Sequence, residues 1–140
     1  MTSDRGFIFV AGDDDRLVAT ITDALRERGF RVASASGHAA DRVRFDTELP
    51  TVVVLDTSMP AGRQADLLNR LRPATDQLTP AIVALSSRES VRQVARLPGV
   101  WVCLAKPVAL DRLVGAVERI SRYTAEQSLR LIQFDSQPAA

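Results

Sequence analysis

Asp13, Asp56, Ser86 and Lys106 each stand at the end of an apolar run, and their types suit work on a phosphoryl group. Asp56 closes Thr51-Val52-Val53-Val54-Leu55, and Met59-Pro60 follow it. Asp13 follows Phe7 to Gly12, Ser86-Ser87 follow Ala81 to Leu85, and Lys106-Pro107 follow Val100 to Ala105. A carboxylate can attack phosphorus and form an aspartyl phosphate. An ammonium can neutralise phosphoryl oxygens as a point charge, and a hydroxyl can donate to one of them. Two neighbouring carboxylates repel, which a hard cation relieves; Mg2+ suits one or two carboxylates with waters and phosphate oxygens.

Each residue also has a plainer reading. Asp13, Asp14 and Asp15 can be a solvated cluster at a helix start, where acids are favoured. Ser86 and Ser87 can be turn residues, and Lys106 a surface charge. Yet seventeen of the eighteen basic residues are Arg, and the only Lys is Lys106. The conjunction of these residues, in this order, is what carries the chemistry.

The elements that must position them follow from periodicity. Strands are expected at 7–11, 30–35, 51–56, 81–85 and 100–105, the third and fourth continuously apolar as in buried parallel sheets. Leu17, Val18, Ile21, Ala24 and Leu25 recur at helical spacing, and Gly29 stops that helix. A short helix is expected from Gly37 to about Phe45, through Ala39, Ala40 and Val43. Another runs from Gln64 to Arg72 through Ala65, Leu67, Leu68 and Leu71, closed by Pro73. A further short one contains Val91, Val94 and Leu97 and stops at Pro98-Gly99. The fifth contains Leu110, Leu113, Val114, Val117 and Ile120. Five strands alternating with five helices predict an α/β fold: one doubly wound five-stranded parallel sheet, order 2-1-3-4-5, with helices on both faces. The carboxyl ends of strands 1, 3, 4 and 5 then bring the polar residues to one edge.

The chain has 140 residues, 46% apolar and 25% charged, which is one ordinary domain. Residues 1–122 are expected to form it; 123–140 either extend the last helix or form a linker, with 136–140 disordered. A net charge of +1 and scattered Arg residues argue against a nucleic-acid surface within this chain. Cys103 is the only cysteine, so no internal disulfide forms. No signal peptide or membrane-spanning run appears, and a soluble, cytoplasmic protein is expected. The lone His38 is expected on the surface.

Over about residues 6 to 122 the chain resembles the receiver domain of two-component response regulators. Asp13 after strand 1, Asp56 with Met59-Pro60 after strand 3, Ser86-Ser87 after strand 4 and Lys106-Pro107 after strand 5 carry the resemblance. It implies that Asp56 accepts a phosphoryl group from a histidine kinase or phosphotransfer protein. It implies that Asp13, Asp56 and the Ser58 carbonyl hold Mg2+, that Lys106 contacts the phosphoryl group, and that Ser86 turns toward it after transfer. The face of helix 4, strand 5 and helix 5 would then meet a downstream protein, an output domain or a second copy. Pro107 is a candidate cis-proline.

The chain also departs from the family pattern. An acidic pair is usual after strand 1, and matching the first helix puts Asp13 on the second acid and Gly12 on the first. Alternatively the triple Asp slides by one and restores a pair. Cys103 occupies the family's aromatic switch position, with Trp101 two residues earlier. Gln64 stands near the place of the usual glycine after Met-Pro, which implies a reshaped loop. A second reading is therefore a pseudo-receiver, an interaction module that is not phosphorylated. A third is a small enzyme or flavin protein on the same sheet, although no GxxxxGK, GxGxxG or nucleophile-elbow motif is present.

Overall fold

The computed structural model describes residues 5–37, 45, 48–71 and 79–136, with the backbone alone from 127 onward. The elements run β1 (Phe7–Gly12), α1 (Asp15–Glu27), β2 (Arg31–Ser36), β3 (Val52–Asp56), α2 (Ala61–Arg70), β4 (Ala81–Ser86), α3 (Val91–Ala95), β5 (Val100–Ala105) and α4 (Leu110–Ser136). The five strands form one sheet in the order β2-β1-β3-β4-β5, and every pairing is parallel. The helix expected between Gly37 and Phe45, with His38, lies outside the described residues apart from its two ends.

Alternation along the central strands sends successive side chains to opposite faces. Ile8, Val10, Val52, Val54, Val83 and Leu85 meet Val18, Ile21 and Leu25 of α1 and Leu113, Val114 and Val117 of α4. Phe9, Ala11, Val53, Leu55 and Ala84 meet Met59, Leu67 and Leu71 beside α2 and Val94 of α3. Phe45 packs edge-on against Phe9, ring centroids 5.1 Å apart. With helices on both faces, β3 and β4 are buried along their whole length, which is why both read as unbroken apolar runs.

The helix ends show how local chemistry sets the chain's direction. Asp14 caps α1, its carboxylate accepting from the N–H groups of Arg16 and Leu17. At the other end Phe30 N–H donates to Leu25 O and Gly29 N–H to Arg26 O. Gly29 takes a φ of +92°, as this paired motif requires.

Three details differ from the sequence expectation. α2 starts at Ala61 rather than Gln64, because the Pro60 carbonyl already accepts from Arg63 and Gln64 N–H. Leu97 lies beyond the end of α3 and is half exposed. α4 continues past Tyr123 to Ser136, so Ser136 is helical, while the rest of the expected 136–140 tail lies outside the described residues.

A register shift interrupts the pairing of β4 with β5: Ile82 pairs with Val100, but Val83 pairs with Val102. Trp101 is the extra residue of this bulge and sits at the exposed edge, packed at 5.5 Å against Tyr123. The bulge breaks the alternation of β5. Val100 and Cys103 share one face, while Val102 and Leu104 turn to the other.

Leu113 is fully buried between α4 and the sheet. Leu113→Ala is expected to lower stability by about 2–5 kcal/mol, read from urea unfolding midpoints. Leu97→Ala is expected to stay within about 0.5 kcal/mol of the parent.

Candidate functional site

Asp56 is the last residue of the central strand and only 2% exposed. A carboxylate so buried needs a cation or several donors to remain charged. Lys106 supplies the cation, its Nζ 2.6 Å from Asp56 Oδ1. The Ser58 N–H donates to the same oxygen at 3.0 Å, closing a turn directly after the strand. Asp56 Oδ2 is buried without any hydrogen-bond partner. An acceptor oxygen held in that way calls for an electrophile, a metal cation or a phosphorus atom.

The turns around this carboxylate are stitched across strands. The Thr57 N–H and Oγ1 both donate to Leu85 O, at 3.0 and 2.9 Å. The Lys106 N–H donates to Ser86 O at 2.8 Å. The Lys106–Pro107 peptide bond is cis. Gln64 clamps the loop after β3: its Nε2 donates to Thr57 O at 3.1 Å and Met59 O at 2.5 Å. Ser58, whose carbonyl the resemblance assigns to a metal, lies between these two anchored residues. The reshaped loop is therefore held by a side-chain amide where a glycine turn is usual.

Gly12 ends β1 beside Asp56. A Cβ placed there would lie 3.0 Å from Asp56 Cβ, 3.2 Å from Val18 Cγ2 and 3.5 Å from Asp56 Oδ2. The missing side chain lets β1 and β3 close on each other at the site. Asp14 caps α1, and Asp13 lies in the turn between Gly12 and that cap. Asp13 pairs with Arg63 of α2, Nη1 to Oδ1 3.3 Å, a contact across 50 positions of sequence. Sequence reading passed over Arg63. The signal available was a basic residue in the first turn of a helix that leaves the Asp56 loop, but nothing local indicates which acid it meets.

Ser86 is buried and its hydroxyl donates to Ser87 O at 3.1 Å. Ser87 turns outward to Ser90, 3.2 Å between hydroxyl oxygens. The structure thus brings Asp56, Lys106 and Ser58 into direct contact and pairs Asp13, one residue beyond Gly12, with Arg63. It leaves both serine hydroxyls bonded to their own loop.

The donors fit Mg2+ chemically. Asp13, Asp56 and the Ser58 carbonyl offer hard oxygens, and Mg2+ commonly takes one or two carboxylates and completes its shell with water. Among the described residues no group of three or more His, Cys, Asp or Glu side chains forms a metal cage, so waters would complete that shell.

Cys103 packs partly buried against the core cluster on the α2 and α3 side of the sheet. Burial pushes its thiol up from the ordinary value, so it stays protonated at neutral pH. The sign follows from linkage: the folded state holds this proton more tightly than the unfolded chain. The associated stability is present below the unfolded thiol's range and is lost as pH rises through the raised folded value. At mildly alkaline pH, Cys103 in the folded protein is expected to react with Ellman's reagent more slowly than in urea. Equal rates would show an ordinary, open thiol. Gly12→Ala is expected to cost about 1–3 kcal/mol by overpacking against Asp56 and Val18, measured by chemical unfolding.

Over residues 8–118 the chain matches the family described as response regulator receiver domain. The transcriptional regulatory protein PrrA of Mycobacterium tuberculosis (strain ATCC 25618 / H37Rv) is 38% identical over 125 residues, covering 87% of this chain and 52% of the relative. The response regulator receiver protein Anae109_2439 of Anaeromyxobacter sp. (strain Fw109-5) is 32% identical over 110 residues, covering 79% of this chain and 43% of the relative. The chain spans about half the length of the curated relatives it matches. The Francisella response regulator 1452 receiver domain is 25% identical with a TM-score of 0.66, covering 85% of this chain and 98% of that one. NtrX from Brucella abortus, at 22% identity and a TM-score of 0.70 over 94% of this chain and 30% of that one, supports the fold alone. The strand order, the buried carboxylate with its lysine and the family match agree: this chain belongs to the response regulator receiver domains of two-component signalling.

Proposed function

We propose that this receiver domain accepts a phosphoryl group on Asp56 from the phosphohistidine of a histidine kinase or phosphotransfer protein. The observation that carries the reading is the Asp56 carboxylate: Oδ1 is held by Lys106 and the Ser58 N–H, and Oδ2 is buried without a partner. Oδ2 can attack phosphorus without breaking an existing hydrogen bond. The P–O bond forms as the P–N bond of the phosphohistidine breaks, and the departing imidazole nitrogen takes a proton from solvent. Lys106 sets its ammonium group against the reacting oxygens. Mg2+, held by the Asp13 and Asp56 carboxylates and the Ser58 carbonyl, would neutralise charge on the transferring phosphoryl oxygens. The domain acts as a phosphoacceptor that promotes its own phosphorylation and dephosphorylation, and is not otherwise an enzyme.

Ser86 is the residue that changes partners. Its hydroxyl leaves Ser87 O and donates to a phosphoryl oxygen on Asp56. The α3–β5–α4 face would carry the output to a downstream protein, an output domain or a second copy. Its support is the exposed Trp101–Tyr123 pair, 47% and 50% exposed. Cys103, turned toward the core, has no ring to move, so the output cannot use an aromatic at that position.

A pseudo-receiver is the second reading, favoured by Gly12 in place of an acid and by Arg63 on Asp13. Incubation with phosphoramidate and Mg2+, followed by intact mass, separates the two. One added phosphoryl group is expected in the wild type and none in Asp56→Asn or without Mg2+. A folded wild type that gains no mass supports the pseudo-receiver.

A further inference from the structure

We infer that Arg63 is a built-in counter-cation of the acidic site, competing with Mg2+ for Asp13. This rests on the reading that Asp13 and Asp56 hold Mg2+. The two carboxylates read as metal ligands each already have a cation: Lys106 on Asp56 at 2.6 Å and Arg63 on Asp13 at 3.3 Å. Gly12 supplies no third carboxylate. The two acids and two bases cancel before any metal arrives, whereas a site of unpaired carboxylates draws a divalent cation by their mutual repulsion.

The two pairs differ in how readily they exchange. Asp56 is 3% exposed at its side chain and its contact is short. Asp13 is 35% exposed and Arg63 22%, and the contact is longer than the roughly 2.7–2.9 Å of a strong charge-assisted bond. The backbone of Arg63 is fixed, its N–H donating to Pro60 O at 3.0 Å. Motion is therefore confined to a flexible side chain on a rigid helix start. The neighbouring Gln64 holds the loop independently through Thr57 O and Met59 O, so the loop does not depend on the Arg63–Asp13 pair. When Mg2+ takes Asp13, the guanidinium must leave it, and by linkage Arg63 lowers Mg2+ affinity as much as Mg2+ loosens Arg63.

The test is a titration with Mg2+ alone, without a phosphodonor, read from the amide NMR shifts of Gly12, Asp13, Asp56 and Ser58. Wild type, Arg63→Ala and Arg63→Lys are compared after circular dichroism shows each folded. Arg63→Ala is expected to bind Mg2+ about tenfold more tightly, with Arg63→Lys nearer the wild type. Equal or weaker binding by Arg63→Ala overturns the inference. If that happens while Asp56 still gains a phosphoryl group from phosphoramidate, the receiver reading stands and only the role of Arg63 falls. If neither wild type nor Arg63→Ala binds Mg2+, the metal site and its counter-cation fall together.

Discussion

A carboxylate buried at the end of the central strand is the constraint on which the rest depends. Asp56 is walled by β1, β4 and the turn after β3, and a charge there is costly unless an opposite charge reaches it. The reach comes from β5, two strands away, through Lys106. That demands a fixed sheet, and the sheet is fixed where it matters. Thr57 is tied to Leu85 and Lys106 to Ser86, so the ends of β3, β4 and β5 are hydrogen-bonded in series. The two core clusters on opposite faces hold this edge in place.

The chain's departures from its family's pattern share a physical theme of space and charge around that carboxylate. Gly12 allows the close approach of β1 and removes an acid. Arg63 adds a base on the remaining one. Gln64 replaces a glycine turn with an amide that ties two loop carbonyls. The site thus carries one acid fewer than a receiver with two acids after its first strand, while the buried carboxylate and its lysine are retained.

The outward face obeys a different logic. The bulge at Trp101 shifts the alternation of β5 by one residue, which turns Cys103 inward and leaves Trp101 at the edge with Tyr123. A ring at position 101 is outside the sheet's regular pleat, so it can rest on α4 without disturbing the core. The residue three before the lysine is Cys103, which carries no aromatic ring.

The strand runs, their order, the polar residues at their ends, an acidic cluster at the first helix start and the Gly29 stop were all legible in the sequence. Each depends on neighbours a few residues away: apolar period, turn chemistry, a carboxylate beside free N–H groups. The sheet order followed from alternation and crossover handedness. What only the tertiary structure decided are contacts between distant residues. Arg63 meets Asp13 across 50 positions, the Gly12 gap is filled by Asp56 from another strand, and a register shift against β4 chooses the face of Cys103. Periodicity records which face of its own element a residue occupies. It carries no information on how far one element slides along the next, and charge pairing and close packing at this site are set by that slide.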